Sequence, residues 1–331
     1  MLWLLVAIAS LIGIVLLLTL YTFCKCFYSP TKRNEDPFAR MPGKQYAEVY
    51  DNMIACTKII QKTPGEQVFT HAFDGLKLAG YYYHTADNAP LLILFHGYRS
   101  MSVRDCAGGH MLGKKMGFNI LSIDQRAHGK SGGNVISFGI CERRDCLSWI
   151  EYALDRFGDD LKIVLSGLSM GAATVLMASD MNLPENVVGI VADCPYSSPA
   201  EIICKVSRDH KIPDKYAYPL IKLGAKIYGG FDLEETTAMD AVQHAKVPIL
   251  LIHGDEDHFV PKEMSEQIAA ACASDVHLHI FPGAGHGLCY MIDPIRYEAV
   301  TVGFLWRIPQ LHAHMQNSQF CLGYRDSCSN F

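Results

Sequence analysis

Short apolar runs recur along this chain, separated by polar, glycine-bearing breaks. "LLILFHG" (91–97), "FNILSID" (118–124), "KIVLSG" (162–167), "VVGIVADC" (187–194), "VPILLIHGD" (247–255) and "VHLHIFPG" (276–283) are mostly apolar, with little alternation. That pattern predicts strands buried on both faces, as in a parallel sheet covered by helices. Two earlier segments, "QVFTHAF" and "LKLAGYYYHT", flank Asp74-Gly75 and predict a hairpin. Helical patterns fall between the runs, near 103–116, 139–157, 170–181, 262–273 and 292–306, after a leading helix over 44–60. Strands and helices alternating at this spacing define a doubly wound α/β domain.

Two segments break that rhythm. Residues 196–245 separate a pair of strands by about fifty residues, more than one crossover helix needs. The segment holds Pro199, Pro213 and Pro219 with Tyr196, Tyr216, Tyr218 and Tyr228. It is expected to form a small cap over the strand ends, where open α/β sheets bind ligands. The plainer alternative is a helix pair that only packs. The second segment is residues 2–23, "LWLLVAIASLIGIVLLLTLYTF", which carries no charge. As a helix it reaches roughly 33 Å, enough to cross a hydrocarbon core of about 30 Å. A cleaved signal peptide would have a basic leading region, a shorter apolar run and a small-x-small cleavage pattern. None of these is present, so the run reads as an uncleaved anchor. Lys25, Lys32, Arg33 and Arg40 follow it, which puts the domain in the cytoplasm.

The expected layout is therefore an anchor over 1–24, a linker and leading helix over 25–65, the α/β domain over 66–306, and a tail over 307–331 without clear period. Hydrophobic residues make up 50% of the 331 and charged residues 19%, which fits a packed core and excludes disorder. Net charge is −5 with Lys and Arg scattered, so no nucleic-acid surface is expected. The twelve cysteines show neither CxxC pairs nor zinc-finger spacing. Several, such as Cys194 and Cys289, sit in apolar runs and read as buried reduced thiols, in keeping with a reducing compartment.

Candidate chemistry sits in the turns. Gly167-Leu168-Ser169-Met170-Gly171 follows an apolar strand and runs straight into "AATVLMAS", a helix-forming stretch. This strand–turn–helix setting of G-x-S-x-G presents a serine on a tight turn, with a helix N-terminus behind it. A serine hydroxyl needs a base, and the base an orienting acid. "IHGDEDHFVP" supplies Asp257 and "FPGAGHG" supplies His286, each in the loop after its strand, at the same sheet edge as Ser169. Asp193 and Asp255 are rival acids, with turn or cap roles as the plainer reading. His96, His128, His253 and His258 are rival imidazoles, each better read as packing or hydrogen bonding. "HGDEDH" (253–258) and His277-x-His279 contain ligand-type side chains, yet no metal-site spacing appears, and no phosphate loop. No metal or cofactor is expected.

These motifs carry a resemblance. "FHGY", "DQRAHGKSGG", "GLSMG", "HGDEDHFVP" and "GAGH" are similar to those of the α/β-hydrolase superfamily, in its esterase and serine-aminopeptidase branch related to prolyl oligopeptidases. The similarity spans about residues 66–306. It implies an α/β-hydrolase fold with a mostly parallel sheet and cap. It also implies that Ser169 is the nucleophile, His286 the general base and Asp257, in Asp-x-x-Val-Pro, the orienting acid. Tyr98, after His96-Gly97, and Met170 match the positions whose backbone N–H groups form the oxyanion hole. The expected activity is hydrolysis of a small-molecule ester, a lipid-derived ester or a short peptide. An acyltransferase and a non-catalytic protein on the same fold are the alternatives.

Overall fold

A computed structural model describes residues 1–29, 36–41 and 43–324. Lys32 and Arg33, two of the four charges behind the expected orientation, lie outside the described residues, as do 325–331. Helix α1 (Leu2–Cys26) precedes α2 (Lys44–Lys62). All eight expected strands form: β1 (Glu66–His71), β2 (Lys77–Tyr83), β3 (Leu91–Phe95), β4 (Asn119–Asp124), β5 (Ile163–Leu168), β6 (Val187–Asp193), β7 (Ile249–Gly254) and β8 (Val276–Phe281). They make one sheet of order β1-β2-β4-β3-β5-β6-β7-β8. β1 and β2 pair antiparallel through the Asp74-Gly75 turn, β2 runs antiparallel to β4, and the rest are parallel.

Every residue of β3, β4, β6 and β7 is buried, as the unbroken apolar runs require. β8 differs. It is the edge strand, and five of its six residues are half-exposed. Helices α3 (Ala107–Met116), α4 (Glu142–Phe157), α5 (Met170–Met177), α6 (Pro199–Asp209), α7 (Asp214–Gly224), α8 (Lys262–Ala271) and α9 (Pro294–Trp306) complete the two covering layers. The 103–116 segment breaks at Cys106 into Ser102–Asp105 and α3, while α9 starts at Pro294, with Asp293 capping it by accepting from the Arg296 N–H.

In the tail, short helical turns over 309–322 press Leu311, Met315 and Cys321 onto the domain, all fully buried. Their uneven spacing hid them from a periodicity reading. The segment 196–245 forms α6, α7 and a short helix, Ala238–Val242; three of its four tyrosines are tied into the protein by hydrogen bonds, while Tyr216 is exposed. Tyr196 is buried with its hydroxyl donating to the Phe138 carbonyl, Tyr218 donates to Glu234, and Tyr228 donates to the Leu16 carbonyl of α1. The segment is a packing pair that carries α1. Cys106, Cys146, Cys194 and Cys289 are buried as thiols.

Candidate active site

The strand ends fix the site. β5 delivers Ser169 at φ +57° and ψ −114°, a backbone that costs a non-glycine residue about 1–3 kcal/mol. Two glycines make the turn possible: a Cβ on Gly167 would run into the Gly171 carbonyl, and one on Gly171 into the Phe95 carbonyl. The Ser169 N–H donates to the Asp193 carbonyl at 2.8 Å, which ties the turn to β6. α5 begins at Met170, whose N–H therefore has no acceptor one turn back within its own helix.

Ser169 Oγ lies 2.9 Å from His286 Nε2, and His286 Nδ1 lies 2.7 Å from Asp257 Oδ2. The residues expected as nucleophile, base and acid thus stand in one hydrogen-bonded chain, although they are separated widely in sequence. Asp257 is held on every side. Its Oδ1 accepts the Phe259 and Val260 N–H groups at 3.0 and 2.8 Å, and His253 Nε2 approaches Oδ2 at 3.3 Å. Burial alone would raise this carboxyl. The facing His286 and His253 outweigh it, and Asp257 is held well below the usual carboxylate range, ionised at neutral pH.

The rivals fall into other roles. Asp193 is fully desolvated, which pushes it up to about 6, and its Oδ1 is buried with no hydrogen-bond partner. Asp255 Oδ1 accepts the Gly283 N–H at 2.7 Å, a turn carboxylate. His96 Nδ1 faces the Gly97 carbonyl at 2.8 Å while its Nε2 accepts the Gln125 N–H; burial lowers its pKa. His128 Nε2 accepts the Arg99 N–H at 3.0 Å, and burial and His96 lower it to about 3. Both rings are neutral fixtures of the loop that carries Tyr98. His258 is on the surface beside Glu256. The expected metal-type side chains 253–258 and His277/His279 do not converge. The three ligand-type atoms that do lie close, on Cys194, Asp257 and His286, include two already engaged with each other.

The cleft above Ser169 has a volume of about 400 Å³, toward the lower end of the range for small-molecule pockets. Tyr98, Leu168 and His286 line it, as the sequence led us to expect of the strand-end loops. No residue of 196–245 does, so the expected cap is not the cover. The cover is α2 together with Met41, three residues before it: Met41, Gln45, Tyr46 and Met53 line the cleft, and Tyr46 donates its hydroxyl to the His286 carbonyl at 3.0 Å. Sequence reasoning expected this leading helix but set it outside the α/β domain. The signal that it belongs to the domain is its apolar stripe, with Val49, Thr57 and Ile60 buried against the body. Asp105 was also missed; its Oδ2 accepts the Gly97 N–H at 3.0 Å and holds the loop before Tyr98.

The fold is shared with known proteins. The family described as "alpha/beta hydrolase fold" matches residues 90–218, and that described as "Serine aminopeptidase, S33" matches residues 206–290. An uncharacterized protein of Bacillus subtilis, YqkD, is 24% identical over 232 residues, 70% of this chain and 76% of its own length. The bifunctional esterase/perhydrolase DCH of Acinetobacter calcoaceticus is 22% identical over 253 residues, covering 61% and 86%. Among solved structures, the Pyrococcus furiosus esterase Pf2001 superposes with a TM-score of 0.63 at 21% identity, over 85% of this chain and 98% of its own. The chain has the α/β-hydrolase fold, and it resembles esterases and serine aminopeptidases of that fold.

Proposed function

We propose that this protein is a serine hydrolase that cleaves a carboxylic ester, or an amide, through an acyl-enzyme. Ser169 attacks the carbonyl while His286 Nε2 takes its proton, and the charge of Asp257 stabilises the imidazolium that forms. The N–H groups of Tyr98 and Met170 receive the tetrahedral oxyanion. His286 then protonates the leaving group, and a water activated by the same ring releases the acid. The chemistry needs no cofactor. The observation that carries this reading is the continuous chain Ser169–His286–Asp257, built on a strained turn.

The lining by Met41, Met53, Leu168, Leu288 and Met291 suits an apolar acyl or leaving group of modest size. Kinetics of the full chain on p-nitrophenyl esters of increasing acyl length, beside aminoacyl-p-nitroanilides, test the reaction class. Ester turnover abolished by Ser169→Ala supports it; turnover that survives that change, or none on any substrate, overturns it.

Helix α1 is long and apolar enough to cross a membrane. Its retention as a single-pass anchor belongs to the proposal, with the domain on the cytoplasmic side where Lys25, Lys32, Arg33 and Arg40 would lie. Support comes from its C-terminal end. Phe23 and Phe27 are buried, and the Phe27 ring stands edge-on to Phe138 and Phe231 at 5.7 and 5.3 Å. Cleavage there would strip away some of the domain's core.

A further inference from the structure

On α7, one stripe packs inward and another faces out. Ile221 and Gly224 are buried, and Tyr228, just beyond the helix, bonds back to α1. Ile212, Tyr216, Pro219, Leu223 and Ile227 recur at spacings of three and four, one face of a helix, and all are exposed. No packing in the described residues uses this apolar stripe. It continues onto the exposed Leu16, Leu17, Leu20 and Tyr21 of α1.

The two helices touch closely. A Cβ on Gly224 would stand 2.7 Å from the Thr19 carbonyl, and Thr22 Oγ1 lies 3.4 Å from the Leu220 carbonyl. These contacts fix the height of α7 along α1. A hydrocarbon core of about 30 Å takes about twenty residues, so a span starting at Leu2 leaves it near Tyr21. Leu16, whose carbonyl accepts from Tyr228 at 3.0 Å, then lies about 8 Å inside that boundary. The end of α7 cannot stay in bulk water while it holds those partners.

We propose that α7 and the π-helical turn that continues it, Ala225–Gly229, form a second membrane-contact element that runs beside α1 and dips its C-terminal end into the bilayer that α1 enters. The occupant of the stripe is lipid, and the end of the element reaches a depth of about 5–10 Å, like that of the buried face of interfacial helices. Lys211, Lys215 and Lys226 are exposed around it and suit anionic headgroups, while the nearby acids are engaged, Asp214 with Arg208 and Glu234 with Lys222. The contact would set the domain's height on the membrane. Tyr98 donates its hydroxyl to the Cys26 carbonyl at 2.7 Å and Arg99 donates to the Lys25 carbonyl at 2.8 Å, so the cleft wall is tied to the foot of α1. The inference rests on α1 being a retained membrane helix.

Its test uses the full chain in nanodiscs of phosphatidylcholine and phosphatidylglycerol, with or without bromine near the top of the acyl chains. The chain has three tryptophans, of which Trp3 lies on α1 and reports the anchor itself. Ile227→Trp, and separately Leu223→Trp, add a reporter on the stripe at an exposed position. The added fluorescence is expected to fall about twofold or more in brominated lipid, alongside quenching of Trp3. Quenching of Trp3 with none of the added signal overturns the proposal and leaves the anchor standing; that result is also the one expected if a protein partner covers the stripe. A lack of quenching at Trp3 removes the anchor and the proposal together.

Discussion

Replacing Asp257 with Asn tests the assignment of the acid, and the hydrogen-bond pattern sets its magnitude. The carboxylate accepts three N–H groups: two backbone amides on Oδ1 and His286 Nδ1 on Oδ2. An amide cannot do this. With its oxygen toward Phe259 and Val260, its NH₂ faces the His286 donor; turned around, it faces two backbone donors. Each buried donor left unpaired costs about 1–3 kcal/mol, so the cheapest relief is for His286 to present a bare Nδ1 instead. That tautomer puts a proton on Nε2, aimed at Ser169 Oγ, where a free lone pair is required. The loss of kcat/KM is expected to be about 10³–10⁴-fold, or about 4–5.5 kcal/mol, with the melting temperature moved little. Esterase kinetics and the rate of fluorophosphonate labelling measure it, with Asp193→Asn as comparison, expected within about threefold of wild type. If Asp257→Asn kept more than about a tenth of the activity, or Asp193→Asn lost as much, the acid would have been assigned wrongly.

Phe27→Ala in the detergent-solubilised full chain is expected to cost about 3–5 kcal/mol by denaturant unfolding, because it empties a fully buried aromatic cluster. An unchanged midpoint would show that the segment after α1 lies outside the core. Asp193 is raised to about 6 from 3.8, so its contribution is present below the unfolded value and lost as pH rises through about 6. Melting temperatures should therefore shift in favour of Asp193→Asn between pH 4 and 7; a constant difference would contradict the burial of that carboxyl. Tyr46→Phe removes the hydroxyl bond to the His286 carbonyl and should cost about 1 kcal/mol of stability and several-fold in kcat/KM, while an unchanged pH profile shows that the triad itself is intact. A variant with wild-type stability and turnover would deny α2 any role in holding the site.

The strands were legible because each is a closed apolar run bounded by its own turn, and burial on both faces leaves no other use for such a run. The proposed triad was legible for a related reason: its members each follow one of those strands, so finding the strand ends found the loops. Neither argument reaches α2. Nothing local in "KQYAEVYDNM" says that Tyr46 meets the loop of His286, a contact made across 240 residues. The tyrosines of 196–245 misled for the opposite reason. A tyrosine ring suits a ligand pocket, a core or a helix contact equally, and only the position of α1 decides that Tyr228 bonds to Leu16. The tail was missed because its buried residues are few and irregular, where helix periodicity gives no signal.

The whole reading turns on Ser169 being a reactive alcohol. Incubating the full chain with a fluorophosphonate and mapping the adduct by peptide mass spectrometry is the most direct measurement of that. A single phosphonylated residue at Ser169, formed at a rate that collapses in His286→Ala, is the expected result. An adduct on another serine, or none under conditions where the protein hydrolyses esters, would contradict it.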